Sequence, residues 1–413
     1  MYLLLYPQHF EKPARRPSGE PDERSDLRDQ GRIPKGNDAG TRKAKGIFLA
    51  LFLIPIPAHA LETQAAQAYM VDFNTGTVLL EKNADQLMVP SSMSKIMTAH
   101  LVFERLKNGD IGLDDMLYVS EKAWKMQGSK TFVPLNGNVS VRDMLLGAIV
   151  QSGNDACIVL AEGLSGSEAA FAEEMTRKAH EMGAKQSTFV NATGWPDEGH
   201  MTTAKDLALI AERTIRDFPK EYDEYYSLKE FTFNNIKQGN RNPLLYKDIG
   251  ADGMKTGHTD GGGYGLVASA KQGDRRVILV INGLPSSKAR DAEATALINW
   301  GFGHFKNYKI FGKGDVVETA DVWSGVEKTV SLVAGEAVEI TLPRSQRKDL
   351  QVKVVYNTPL AAPLKAGDKV GEIEVTIPEK GVQKIPLLAA KDVKMAGFFT
   401  RTRNSIQYLL WGK

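Results

Sequence analysis

The sequence predicts an α/β sandwich carrying an all-helical lobe, followed by a small all-β sandwich and a C-terminal amphipathic helix. Three observations predict it. Helical spacing is confined to a central block flanked by β-branched runs, it disappears beyond about Lys313 into short alternating runs, and it returns from Lys391 to Lys413. A chain of 413 residues exceeds one average domain, and 42% hydrophobic against 25% charged residues is the balance of a protein that buries a sizeable core.

The first 42 residues are rich in Arg, Asp, Glu, Gly and Pro and read as a disordered extension. Residues 43–60 follow with basic Lys43 and Lys45, an apolar stretch from Gly46 to Ile56, and Ala58-His59-Ala60, the three regions of a secretory signal peptide. The apolar stretch is short for a membrane span, so cleavage after Ala60 is expected rather than a retained anchor. A signal peptide this far into the chain points to an over-extended start, an expectation that an unprocessed product retaining Met1 contradicts.

From Gln64 to Leu80 apolar and β-branched residues flank Asn74-Thr75-Gly76, the pattern of a hairpin. After Val89-Pro90 the run from Lys95 to Leu106 has helical spacing with serines at its start, which puts Ser92 near a helix N-terminus. Further helices are expected over residues 141–150, 155–163, 168–182 and 204–218. Strands over 263–270 and 275–282 and a helix over 289–302 close this domain, taken as residues 61–312. Alternating runs around 329–333, 337–342, 350–356 and 371–377 then mark a β-sandwich over 313–390. Over 391–413, Met395, Phe398, Phe399, Thr402, Ile406, Leu409 and Leu410 share one arc while Lys394 and Arg401 fall outside it. Such a helix suits the interface of an anionic bilayer and is too polar to cross one.

The net charge of +2 gives no ground for nucleic-acid binding, and neither a phosphate-cradling loop nor a metal-ligand cluster is present in the sequence. Cys157, the single cysteine, excludes an internal disulfide and sits in an apolar run as a core residue. No cofactor and no metal are expected.

Function is carried by three strings in order: Ser92-Met93-Ser94-Lys95, Ser152-Gly153-Asn154 and Lys255-Thr256-Gly257. The first alone proves little, because Ser345-Gln346-Arg347-Lys348 repeats it without the others. Lys-Thr-Gly has roughly 0.05 chance occurrences in such a chain, so the ordered set points to covalent acyl transfer. Serine needs a base, and Lys95 lies one helical turn from Ser92 on the same face. Burial and a second cation, for which Lys255 is available, would lower the Lys95 pKa. Free N–H groups around Ser92 can stabilise an oxyanion. Ser152-Gly153-Asn154 looks like a loop tip entering a cleft, although Ser-Gly-Asn-Asp is also a good turn and N-cap sequence. Gly257 would let a ligand backbone approach a strand edge and add as an extra strand.

These strings, with the run from Asp72 to Leu80, Phe189-Val-Asn-Ala-Thr-Gly-Trp195 and Asp252-Gly-Met-Lys-Thr-Gly-His-Thr-Asp260, resemble the low-molecular-mass penicillin-binding proteins of the D-alanyl-D-alanine carboxypeptidase type, within the serine β-lactamase group. The resemblance covers nearly everything after Ala60. It implies that the backbone N–H groups of Ser92 and His258 form the oxyanion hole and that Ser152 relays a proton to the leaving amine. It implies further that Asn154 binds the substrate amide and positions Lys95, and that Thr256 with Arg241, and Arg290, meet the terminal carboxylate. The implied substrate is a peptidoglycan stem peptide ending in D-Ala-D-Ala, with β-lactams as covalent inhibitors. The implied place is the periplasm, on the outer face of the cytoplasmic membrane. A class A β-lactamase would need a glutamate-activated water, and Asn191-Ala-Thr-Gly-Trp-Pro contains no acid. A catalytically silent wall-binding scaffold would leave Ser92 unlabelled by penicillin.

Overall fold

The computed structural model describes residues 62–411 apart from 379, together with residues 3 and 4. With the exception of those two, the expected extension and signal peptide lie outside the described residues.

Strands β1 (Gln67–Asp72) and β2 (Val78–Lys82) form a hairpin. Its turn is organised by Asp72, whose Oδ1 accepts the amides of Asn74 at 3.1 Å and Thr75 at 3.0 Å. The carboxylate is fully buried, and Arg275 Nε at 2.7 Å supplies the charge partner that its burial requires. A 3₁₀ turn, Ser91–Ser94, leads into α1 (Lys95–Asn108).

The helical lobe adds α2 (Val141–Leu146), α3 (Asn154–Ser165), α4 (Glu168–Met182) and α5 (Ala204–Asp217). Ser140, Ser167 and Thr203 cap α2, α4 and α5 by accepting the amide three residues on. The helix expected to run to Val150 leaves α geometry after Leu146, where Gly147–Gln151 form one π turn. There Gly147 backs onto Thr131 so closely that a Cβ would lie 2.3 Å from Thr131 Oγ1.

The chain then returns as β3 (Ala251–Thr259), β4 (Gly263–Gln272) and β5 (Arg275–Leu284), and ends the domain with α6 (Ser287–His304). The sheet order is β2-β1-β5-β4-β3, antiparallel throughout, so β3 is an edge strand. Tyr69, Val71, Ile278 and Val280 join the core shared with α1, α3 and α5. Their neighbours Met70, Val277, Leu279 and Ile281 are equally buried and alternate to the opposite face, where Gly301 of α6 sits against Met70. Burial on both faces explains why these strands read as continuous apolar runs. The expected α/β sandwich with its helical lobe is the architecture found.

The second domain comprises β6 (Phe305–Phe311), β7 (Val316–Trp323), β8 (Thr329–Ala334), β9 (Val338–Pro343), β10 (Gln351–Tyr356), β11 (Leu360–Ala361), β12 (Lys369–Ile377) and β13 (Gly381–Ala389). In its main sheet β10, β12, β13, β8, β7 and β11 follow one another, while β6 pairs with β9. Leu332, Ile340, Val352, Ile373 and Leu387 fill the core between them. Strand structure begins at Phe305, directly after α6, earlier than the Lys313 boundary read from the sequence.

The terminal helix α7 spans Phe398–Trp411 instead of starting at Lys391. Residues 391–397 are held on the β domain: Val393 and Leu364 exchange backbone hydrogen bonds at 2.9 Å, and the Ala396 amide donates to the Ser324 carbonyl at 2.8 Å. Among the described residues no helix is long and apolar enough to cross a membrane.

Candidate active site

The turn Ser91–Ser94 carries Ser92 between the edge strand β3 and the loop over residues 190–200. Ser91 is left-handed, with φ 49°, and its Oγ meets Thr259 Oγ1 of β3 at 2.9 Å. Two glycines permit this packing. A Cβ on Gly257 would lie 3.1 Å from Met93 Cγ, the Pro90 carbonyl and Ser91 Cβ, and one on Gly194 only 1.9 Å from the Ser91 carbonyl oxygen. The glycine of Lys-Thr-Gly therefore serves close approach to the serine turn, where the sequence reading assigned it to a ligand backbone.

Lys95 is 1% exposed, so it is no solvent-facing helix lysine. Its Nζ lies 3.0 Å from Ser92 Oγ, donates to Asn154 Oδ1 at 2.7 Å, and donates to the Thr193 carbonyl. A neutral amine has two hydrogens and one lone pair. Asn154 Oδ1 and the Thr193 carbonyl can only accept, so they take both hydrogens and leave the lone pair for the Ser92 hydroxyl. Burial lowers the Lys95 pKa to about 8, and the Arg241 charge pushes the same way.

Lys255 is also buried, and its Nζ donates to the Thr256 carbonyl at 3.2 Å. Its pKa is pushed well down by burial, then by Lys95 and Arg241. The two buried amines oppose each other's protonation, as expected from the sequence, and the Arg241 charge adds to this at both. Lys255-Thr256-Gly257 lies within β3 itself, at the edge of the sheet.

Ser152 ends the π turn in the left-handed region, φ 67°, and is 2% exposed. Asn154 opens α3 and donates from Nδ2 to the Gln127 carbonyl at 2.8 Å. No side chain caps α3, so the N-cap reading of Ser-Gly-Asn-Asp does not hold. Asp155 instead gathers the amides of Thr131 at 2.7 Å, Phe132 at 2.8 Å and Val133 at 3.3 Å, folding that loop beside the Ser152 segment.

All of this surrounds a cleft of about 850 Å³ whose lining includes Ser92, Ser152, Asn154, Arg241, Thr256, Gly257, His258 and Arg290, with Trp195 and Tyr264. Lys95 and Lys255 lie buried beneath it. Every site residue expected from the sequence is brought to this one place. The His258 imidazole is exposed and packs against Tyr264, 3.9 Å between centroids with the ring planes tilted by 30°. The Arg290 guanidinium stands 5.8 Å from the same ring, and its Nε is buried without a partner. Sequence reasoning missed Ser91, Thr193, Gly194, Asp155 and Tyr264. One signal was available: Asn191 Oδ1 accepts the amides of Thr193 at 3.1 Å and Gly194 at 2.8 Å, an Asx turn written in Asn-Ala-Thr-Gly.

Comparison with known proteins agrees with this geometry. The family model described as D-alanyl-D-alanine carboxypeptidase, peptidase S11, matches residues 55–285, and that of the penicillin-binding protein 5 C-terminal domain matches residues 305–395. D-alanyl-D-alanine carboxypeptidase DacC of Escherichia coli is 41% identical over 340 residues, covering 80% of this chain and 85% of the relative. The crystal structure of penicillin-binding protein 5 from Haemophilus influenzae superimposes with a TM-score of 0.71 at 38% identity, covering 81% of this chain and 99% of that one. Penicillin-binding protein D2 from Listeria monocytogenes, solved in its ampicillin-bound form, has a TM-score of 0.54 at 32% identity, covering 59% of this chain and 99% of that one. The chain belongs to the D-alanyl-D-alanine carboxypeptidase family, peptidase S11.

Proposed function

We propose that the protein is a serine-type carboxypeptidase that removes the terminal D-alanine from peptidoglycan stem peptides through an acyl-Ser92 intermediate. The observation that carries this reading is the Lys95 amine 3.0 Å from Ser92 Oγ beneath an open cleft. Ser92 Oγ attacks the carbonyl of the penultimate D-alanine while its proton passes to Lys95. The N–H groups of Ser92 and His258 hold the oxyanion. Ser152 passes a proton to the departing D-alanine amine, and water then hydrolyses the ester. The substrate backbone adds along the free edge of β3, with Asn154 on its amide and Thr256, Arg241 and Arg290 at its carboxylate.

A β-lactam presents the same carbonyl to Ser92 and leaves an ester, in keeping with the ampicillin-bound relative. Two buried carboxylates act on Lys95, Asp155 and Glu168. Asp155 is spent on backbone amides; Glu168 accepts the Ala192 amide at 3.0 Å and pairs with Lys122 at 2.7 Å. Asp197 and Glu198 are exposed. None is poised to activate a deacylating water, which disfavours the β-lactamase reading. A silent scaffold would have no use for two buried lysines, whose desolvation is costly. Incubation with a peptide ending in D-Ala-D-Ala should release free D-alanine from the wild type and none from Ser92→Ala; rapid turnover of penicillin would overturn the assignment.

The proposed location is periplasmic, with α7 at the surface of the cytoplasmic membrane. Phe398 and Phe399 are 74% and 88% exposed, with Arg401 and Arg403 on the same helix. Deleting residues 398–413, which leaves the segment held on the β domain in place, should release the protein from membranes at low salt, whereas continued pelleting would count against anchoring.

A further inference from the structure

Ser94 occupies the N-cap position of α1, yet its side chain caps nothing there. Its hydroxyl donates back to the Ser91 carbonyl at 2.9 Å, and the same oxygen meets His200 Nε2 at 2.8 Å. Across the ring, His200 Nδ1 accepts the Val190 amide at 3.1 Å. The direction of this chain is fixed. A backbone N–H can only donate, so Nδ1 carries no proton and Nε2 does; Ser94 accepts from Nε2 and gives its own hydrogen to Ser91. His200, Ser94 and Ser91 are each no more than 1% exposed, so water replaces none of these bonds.

We propose that His200 is a positioning residue for acylation: as the neutral Nε2–H tautomer it ties the 190–200 loop to Ser94 and through it fixes the Ser91 carbonyl and the Ser92 turn. The inference rests on the acyl-serine reading of the site. The same loop supplies the Thr193 carbonyl to Lys95 and lays Gly194 against Ser91. Its seating against the turn therefore sets how Ser92 and Lys95 face each other. Phe189 packs edge-on to the ring at 5.6 Å between centroids. Burial holds the imidazole neutral, lowering its pKa to about 4, with Asp197 favouring protonation and Lys95 opposing it. An imidazolium would set an N–H against the Val190 N–H and break the chain at its first link.

The test compares His200→Ala, Ser94→Ala, the double variant and His200→Gln in stopped-flow acylation by a fluorescent penicillin, with thermal melting alongside. Each single alanine should slow acylation about 10- to 100-fold with little change in the prior non-covalent affinity, as expected when a reacting pair is misplaced. The double variant should lose no more than the worse single one, because both interrupt one chain. His200→Gln, which offers a donor and an acceptor, should recover part of the rate. Nitrogen NMR of the wild-type ring should show the neutral Nε2–H tautomer at pH 5.5, and this holds the proposal to account even where an alanine variant fails to fold. Wild-type rates in both single variants, additive losses, or an Nδ1–H tautomer would each overturn it. A wild type that never acylates Ser92 would instead sink the underlying functional reading.

Discussion

Lys95→Ala should slow acylation of Ser92 by about 10²- to 10⁴-fold, the range a positioned general base contributes. Lys95→Arg should do no better, since a guanidinium stays protonated and offers no lone pair. In the wild type the neutral amine is the active form. With a pKa of about 8, roughly a tenth of Lys95 is neutral at pH 7. The acylation rate constant should therefore climb about tenfold per pH unit below that value and level off above it. An amine at the ordinary lysine pKa of about 10.4 would keep climbing well beyond pH 9. Stopped-flow acylation between pH 5.5 and 9.5 distinguishes the two. A pH-independent rate, or a Lys95→Ala variant that acylates normally, would remove Lys95 from the role of base.

Gly194→Ala should be nearly as damaging, although residue 194 need not react. The glycine has φ 75°, and its added Cβ would sit 1.9 Å from the Ser91 carbonyl oxygen, a backbone atom that no rotamer change can move aside. The loop must lift, carrying the Thr193 carbonyl off Lys95 and the Ser92 turn out of line. A loss of about 100-fold in acylation is expected, with destabilisation on the order of 1–3 kcal/mol from overpacking. Gly261→Ala is the control, because a Cβ there meets nothing within 4 Å and its φ is unexceptional. Equal acylation and melting behaviour in the two variants would contradict the packing assigned to Gly194.

Local chemistry explains which parts of this could be read in advance. Helix α4 was legible to its ends because Ser167 caps it, its apolar residues keep helical spacing and Gly183 closes it. The pairing of Ser92 with Lys95 was legible because three residues are one helical turn. The π turn before Ser152 was not, since it packs Gly147 against Thr131, a neighbour that only folding supplies. Thr193 escaped notice for another reason: it acts through its carbonyl, a group every residue carries. His200 likewise acts through partners at Ser94 and Val190 that only folding brings together. The start of α7 was misplaced because Met395 fits the apolar arc of a helix yet lies in a segment paired to the β domain, facing Gly325. Arg241 and Arg290, reached only by resemblance, do line the cleft, where burial lowers the pKa of each.

In the proposed reaction one hydroxyl, Ser92 Oγ, becomes an ester with Lys95 as its base. Intact-mass measurement after incubation with benzylpenicillin tests it most directly, followed by peptide mapping of the product. A single penicilloyl adduct on the peptide containing Ser92 and an unmodified mass for Ser92→Ala are expected. An adduct of equal abundance on Ser92→Ala would contradict it.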